Sequence, residues 1–280
     1  MTRVSIAVVF ASLSLLTAHA ARAESEEEPA EPGEMVETGS PKGRMTLPGG
    51  GFQFSAVIEA NLGASKIAKP ISIAPDLWIG LHDRLTLGIY HSGRAANGFL
   101  SGVGTGLCLR DGMSGTCKAG LGDIYTFVGS EMRIGLTQGG FATALVLGGN
   151  ARFLEAEKLF AGKAGFHARI HSKRVAIELS PMVNVGINQR AVNQDQVFVP
   201  VTFYLRFAPR VSLALQGGFA TTLKKAGDNY RVPAAAGMSF WLGNHISIDA
   251  AFGLAAVLDK NDMTKAFDQR SATVGLSYAR

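Results

Sequence analysis

The stretch HISIDAAFGLAAVLD, residues 245–259, places an apolar side chain at every second position: Ile246, Ile248, Ala250, Phe252, Leu254, Ala256 and Leu258. Successive side chains of a β-strand point to opposite faces, so this spacing predicts a strand with one wholly apolar face. Its other face holds Ser247, Asp249, Ala251, Gly253, Ala255 and Val257. An apolar face must be covered, either by a protein core or by lipid. Which of the two it meets decides what the chain can become.

The pattern recurs. About twelve segments alternate in the same way, near 52–62, 70–81, 85–94, 121–134, 140–151, 163–171, 175–187, 197–207, 210–222, 231–242, 245–258 and 270–280. Most are about 9–13 residues long, close to what a tilted strand needs to cross a bilayer. The connections alternate too. Tight ones at 82–84, 137–140, 172–174, 208–210 and 243–245 interleave with longer ones near 63–69, 95–120, 152–162, 188–196, 223–230 and 259–269. All tight turns then fall on one edge of the sheet, as in membrane barrels with short periplasmic turns and longer external loops.

Composition agrees. The chain is 47% hydrophobic and 18% charged, yet beyond its first residues it has no apolar run of about 18 residues that would make a spanning helix. The less apolar face is small as well as polar, with Gly80, Gly88, Gly129, Gly148, Gly186, Gly218, Gly237, Gly253 and Gly275 in phase. A solvent face would use Thr, Lys and Glu; a crowded lumen has reason to use glycine. The expected fold is therefore all-β: a transmembrane antiparallel up-and-down β-barrel of about twelve strands over residues 51–280. A soluble sandwich or barrel is the alternative. Proline cannot donate to a ladder, so bulges are expected at Pro75, Pro181, Pro200 and Pro233.

The N-terminus differs in kind. Arg3, an apolar run and Ala21-Arg22-Ala23 form a secretory signal peptide, residues 1–23. Residues 24–50 are Glu- and Pro-rich with little periodicity, expected to form a disordered periplasmic tail. After Gly50 the chain carries 23 basic and 15 acidic residues, a formal +8. Cys108 and Cys117 flank the turn-rich LRDGMSGT, and in an exported chain they are expected to form a disulfide. The loop 95–120 that contains them is a candidate external lid or constriction. No metal motif or nucleotide loop is present, and no cofactor is expected.

Strand phase assigns charged residues to the lumen: Glu59, Asp76, Asp123, Glu131, Glu178 and Asp249, with Arg133, Arg152, Arg169, Arg206 and Arg231. The candidates for a selectivity ring are Glu59, Asp76, Glu131, Arg133, Arg169, Glu178, Arg206 and Asp249. A two-residue turn at Lys173-Arg174 sets Arg169 opposite Glu178.

The signal peptide, the tail and the paired strands running to RSATVGLSYAR at the C-terminus together resemble Gram-negative outer-membrane β-barrel proteins of the porin or transporter type. That class commonly ends in an aromatic residue; here Arg280 is last and Tyr278 stands in phase. GLGD at 120–123 is similar to transporter-type barrels implicated in uptake of small hydrophobic compounds. The resemblance implies an outer-membrane location, with lipid and lipopolysaccharide around the belt, the barrel-assembly machinery as the inserting partner, and no nucleic acid. A narrow channel passing a small solute, with lumen charges setting selectivity, is the expected function. A closed barrel serving as anchor, scaffold or adhesion and surface protein is the second. An outer-membrane lipid hydrolase is the third; it needs a nucleophile beside a base, and His91 and Ser92 are adjacent on a strand and so face opposite ways.

Overall fold

Twelve wall positions close into one antiparallel barrel. The computed structural model describes residues 44–63, 71–102, 106–110, 126–154, 157–260 and 267–280. Their strands are β1 (Phe52–Asn61), β2 (Ile71–His82), β3 (Leu85–Tyr90), β4 (Leu107–Arg110), β5 (Phe127–Thr137), β6 (Phe141–Arg152), β7 (Leu159–His171), β8 (Val175–Leu179), β9 (Met182–Gly186), β10 (Gln196–Ala208), β11 (Val211–Thr222), β12 (Tyr230–Trp241), β13 (Ile246–Asp259) and β14 (Arg270–Ala279). Two positions are each shared by two strands. β2 pairs with β3 from Leu77 onward and with β4 at Ser72 and Ile73. β8 and β9 follow one another beside β10 with no change of register, Leu179 opposite Val201 and Met182 opposite Phe198. The barrel closes where β1 meets β14, in register from Gln53↔Ala279 to Asn61↔Ser271.

The faces are inverted relative to a soluble β protein. Ile58, Phe252 and Leu276 on the outside are 46%, 47% and 54% exposed, whereas Glu59 and Lys163 on the inside are 1% and 4% exposed. An outward apolar belt around a closed ladder is what a bilayer requires, since lipid offers no partner for a backbone N–H or C=O. The opening stretch is β13, with Ile246, Ile248 and Phe252 outward and Asp249 in the lumen.

The tight connections, the start of β1 and the end of β14 all lie at one end, called here the short-turn end. Two expectations change. Residues 44–50, grouped above with the tail, lie against the inner wall at this end: Met45, Thr46 and Leu47 are buried. Residues 1–43, including the signal peptide and most of the tail, lie outside the described residues. The connection expected over 95–120 is divided, because the third wall position ends at Tyr90, is interrupted, and resumes as β4 at Leu107. The prolines behave differently from one another. Pro233 sits at a register shift between β12 and β13, and Pro181 at the break between β8 and β9. Pro75 and Pro200 sit in unbroken register with Ala56 and Gly218.

Phe252→Arg should destabilise the barrel by about 2–4 kcal/mol if Phe252 lies near the bilayer midplane, read by denaturant unfolding in lipid vesicles. Stability equal to wild type would mean that this face does not meet hydrocarbon.

Candidate functional site: a lumen crossed by its own chain

The interruption of the third wall position sends the chain inward. It leaves the wall at His91 and returns at Gly106, and both ends lie beside the same part of β2. His91 Nδ1 contacts the Pro75 carbonyl. A Cβ at Gly106 would stand 2.3 Å from the Ile73 carbonyl oxygen. Pro75 has no N–H to lose where its neighbour departs. His91 is thus drawn inward and buried. The segment opens with α1 (Gly93–Asn97). Ser92 caps it, its Oγ accepting from Ala95 N, and Gly98 ends it in the left-handed conformation (φ 77°) with its N–H on the Arg94 carbonyl.

Backbone carried into the lumen needs partners for its polar groups, and wall side chains provide them. Asp76 accepts from His91 N (2.7 Å), Ser92 N (3.0 Å) and Ser92 Oγ (2.5 Å). Glu59 accepts from Gly93 N at 2.8 Å. Lys163 Nζ donates to the Ala95 carbonyl at 2.6 Å and pairs with Glu131 at 2.5 Å. Across the lumen, Gln216 accepts from Leu100 N (2.7 Å) and donates to the Gly98 carbonyl (2.8 Å). Ser271 Oγ donates to the Ser101 carbonyl at 3.2 Å. Phe99 packs with Phe198 and Met182. The inward glycines make room: a Cβ at Gly253 would lie 2.4 Å from Ser101 Cβ, and one at Gly218 2.7 Å from the Phe99 ring.

A second strap enters from the N-terminal side. Leu47 N donates to Thr86 Oγ1 (2.8 Å), and Thr46 Oγ1 to the Asp83 carbonyl (2.7 Å). Met45 packs on Ala142 and Ala144, and Leu47 on Trp78, Tyr90 and Phe127. Gly80 accommodates the strap, since a Cβ there would meet the Pro48 carbonyl oxygen at 2.0 Å. In the turn below, the Gly49 N–H and then Arg44 hold the Asp83 carboxyl below the usual carboxylate range.

Between strap and segment lies a cavity of about 200 Å³, lined among others by Arg94, Arg133, His167, Arg169, Glu178 and Asp249. Arg169 and Glu178 are opposite one another and paired at 2.7 Å, and Ser180 Oγ donates to Glu178 at 2.9 Å. Arg133 Nε meets Glu131 at 2.6 Å, and its guanidinium lies 4.0 Å from the Trp78 ring centroid. Asp249 accepts from Ser239 and Ser247. Glu59 and Asp76 border the cavity but are engaged in holding the segment. Arg206 is on the lumen face of β10 at the short-turn end, away from the cavity lining. Arg152 donates to Asn193 at 2.6 Å, and Arg231 stands opposite Asp259. Cys108 is in β4; Cys117, and with it the expected disulfide, lies outside the described residues, as does Asp123. Sequence phase also places Lys163 and Gln216 in the lumen, but only the segment they hold reveals their role.

Two consequences can be measured. Arg169→Ala and Glu178→Ala should couple by roughly 0.5–3 kcal/mol in a double-mutant cycle of unfolding; additive effects would mean that the pair is not formed. Gln216→Ala leaves a buried N–H and C=O unpaired and should cost about 1–3 kcal/mol, with proteolysis within 98–102 becoming faster than in wild type.

No protein-family model matches the chain, and no curated protein matches it. Solved structures do share its architecture. The NanC porin aligns with a TM-score of 0.54 at 7% identity, over 80% of this chain and 98% of that one. An outer membrane channel from Pseudomonas putida F1 aligns with a TM-score of 0.50 at 12% identity, over 88% of this chain and all of that one. Together with the closed ladder and the apolar belt, these alignments show that the chain has the fold of an outer-membrane β-barrel.

Proposed function

We propose that the protein is a narrow outer-membrane channel for passive uptake or efflux of a small solute in a Gram-negative bacterium. In this reading the short-turn end and the N-terminal tail are periplasmic. The belt meets outer-membrane lipid and lipopolysaccharide, and the barrel-assembly machinery inserts the chain. The observation that carries the reading is the segment 91–102, which narrows the lumen while a polar, charged cavity remains beside it. About twelve strands stand between small filled barrels and wide aqueous ones, so a partial obstruction suits a narrow path. A cavity of about 200 Å³ sets the scale of the solute, and the ring containing Arg133, Arg169, Glu178 and Asp249 sets its selectivity. The chain acts without catalysis or a cofactor.

A closed anchor or scaffold barrel is the second reading. It is favoured by the contacts that the segment makes on opposite walls, with Asp76 on β2 and with Gln216 on β11. The two readings separate in a planar bilayer. The full chain, refolded and shown to be folded by its β circular dichroism, should give discrete conductance steps and should make dextran-loaded liposomes swell in an isotonic solution of a small sugar. Silence in both assays from folded protein would overturn the channel and favour the anchor.

A further inference from the structure

The cavity's acids and bases are unequally engaged. Glu59 and Asp76 take backbone N–H groups of the inward segment, Glu178 takes Arg169 and Ser180, and Asp249 takes two serines. Arg94 is different. It is exposed although it lies within the barrel, and its side chain has no partner among the described residues. Arg133 spends its Nε on Glu131, and its two terminal nitrogens have no partner among the described residues. The Trp78 ring, 4.0 Å away, fixes that guanidinium as a plane. His167 also lines the cavity, and its Nε2 is buried with no hydrogen-bond partner among the described residues.

One carboxylate ties the strand that carries Arg133 to the segment that carries Arg94. Glu131 pairs with Arg133 through one oxygen and with Lys163 through the other. Lys163 in turn holds the Ala95 carbonyl, next to Arg94. Both guanidinium groups, with their unused donors, and the His167 ring line the one cavity. Guanidinium forks match the two oxygens of a carboxylate. Met45, Leu100 and Met238 line the same cavity and supply apolar surface for a short carbon chain.

We infer that this cavity is a binding site for a small organic carboxylate, held by Arg94 and Arg133 with His167 as a third contact. The inference rests on the channel reading for its purpose, since the bound anion is then the permeating solute. Its test does not depend on that reading.

Trp78, against Arg133, is a built-in reporter, and Trp241 is the other tryptophan of the chain. In the full chain carrying Trp241→Phe, refolded in lipid, Trp78 fluorescence is titrated with sodium propionate and, separately, with inorganic phosphate, against sodium chloride at matched ionic strength. A saturable change with propionate is expected. Arg94→Gln, which breaks no contact with the barrel, should raise the half-saturating concentration about tenfold, the loss of one charge-assisted hydrogen bond. Arg133→Gln should abolish the change. A response that does not saturate, or one identical in Arg94→Gln and its parent, overturns the site. Phosphate saturating as readily as propionate overturns the carboxylate assignment in favour of a general oxyanion site. Saturable propionate binding by a protein that never conducts would sink the channel reading and leave the site standing.

Discussion

Closure of the ladder between β1 and β14 is the constraint on which the rest depends. In hydrocarbon each unpaired backbone N–H or C=O costs several kcal/mol, so a sheet in a membrane can have no edge. Once the sheet is closed, side-chain alternation sorts the chain into an apolar exterior and a polar interior. The interior is then partly removed from water, and whatever enters it must be satisfied by inward side chains. Asp76, Glu59, Lys163 and Gln216 meet that demand for the segment 91–102. They are spread over β2, β1, β7 and β11, so the segment is braced from several sides of the barrel.

The energetics favour a held segment. A hydrogen bond to a charged group contributes roughly 1.5–3 kcal/mol, and Asp76 alone accepts three from the segment. The Lys163–Glu131 pair is nearly inaccessible to solvent on both sides. Breaking such a pair by removing one partner is far more costly than never having had it, so it serves as a firm strut under Ala95. The place of departure is equally economical. The two ends of the excursion lie beside Ile73–Pro75 of β2, and Pro75 has no N–H to offer where His91 departs, so the wall loses little of its ladder.

Much of the barrel was legible in the sequence because a period of two is a direct consequence of strand geometry. The inward phase of Glu131, Arg169 and Asp249 could be read from it, and the tight turn at Lys173-Arg174 fixed the register that sets Arg169 opposite Glu178. The inward segment was not legible. Asp76 and Glu59 read as pore charges because nothing local shows that their partners are backbone N–H groups 15 to 34 residues away. His91 and Ser92 continue the alternation of β3, so the interruption leaves no mark in the pattern. Residues 44–50 share the Pro- and Gly-rich character of the tail before them. Their burial depends on Gly80 and Thr86, which only the closed wall brings near. The glycine-rich inner face signals crowding, and Gly80, Gly218 and Gly253 show what crowds them: the strap and the segment.

The central claim is that the inward segment is the constriction of a conducting path. Because His91 and Gly106 leave and rejoin the wall at the same part of β2, replacing residues 93–104 with two glycines removes the obstruction and keeps both ends in place. Single-channel conductance of this variant beside wild type tests the claim most directly. Larger unitary steps from the variant, with wild type giving smaller ones, are expected. Equal steps from the two would contradict it and place the constriction elsewhere in the barrel.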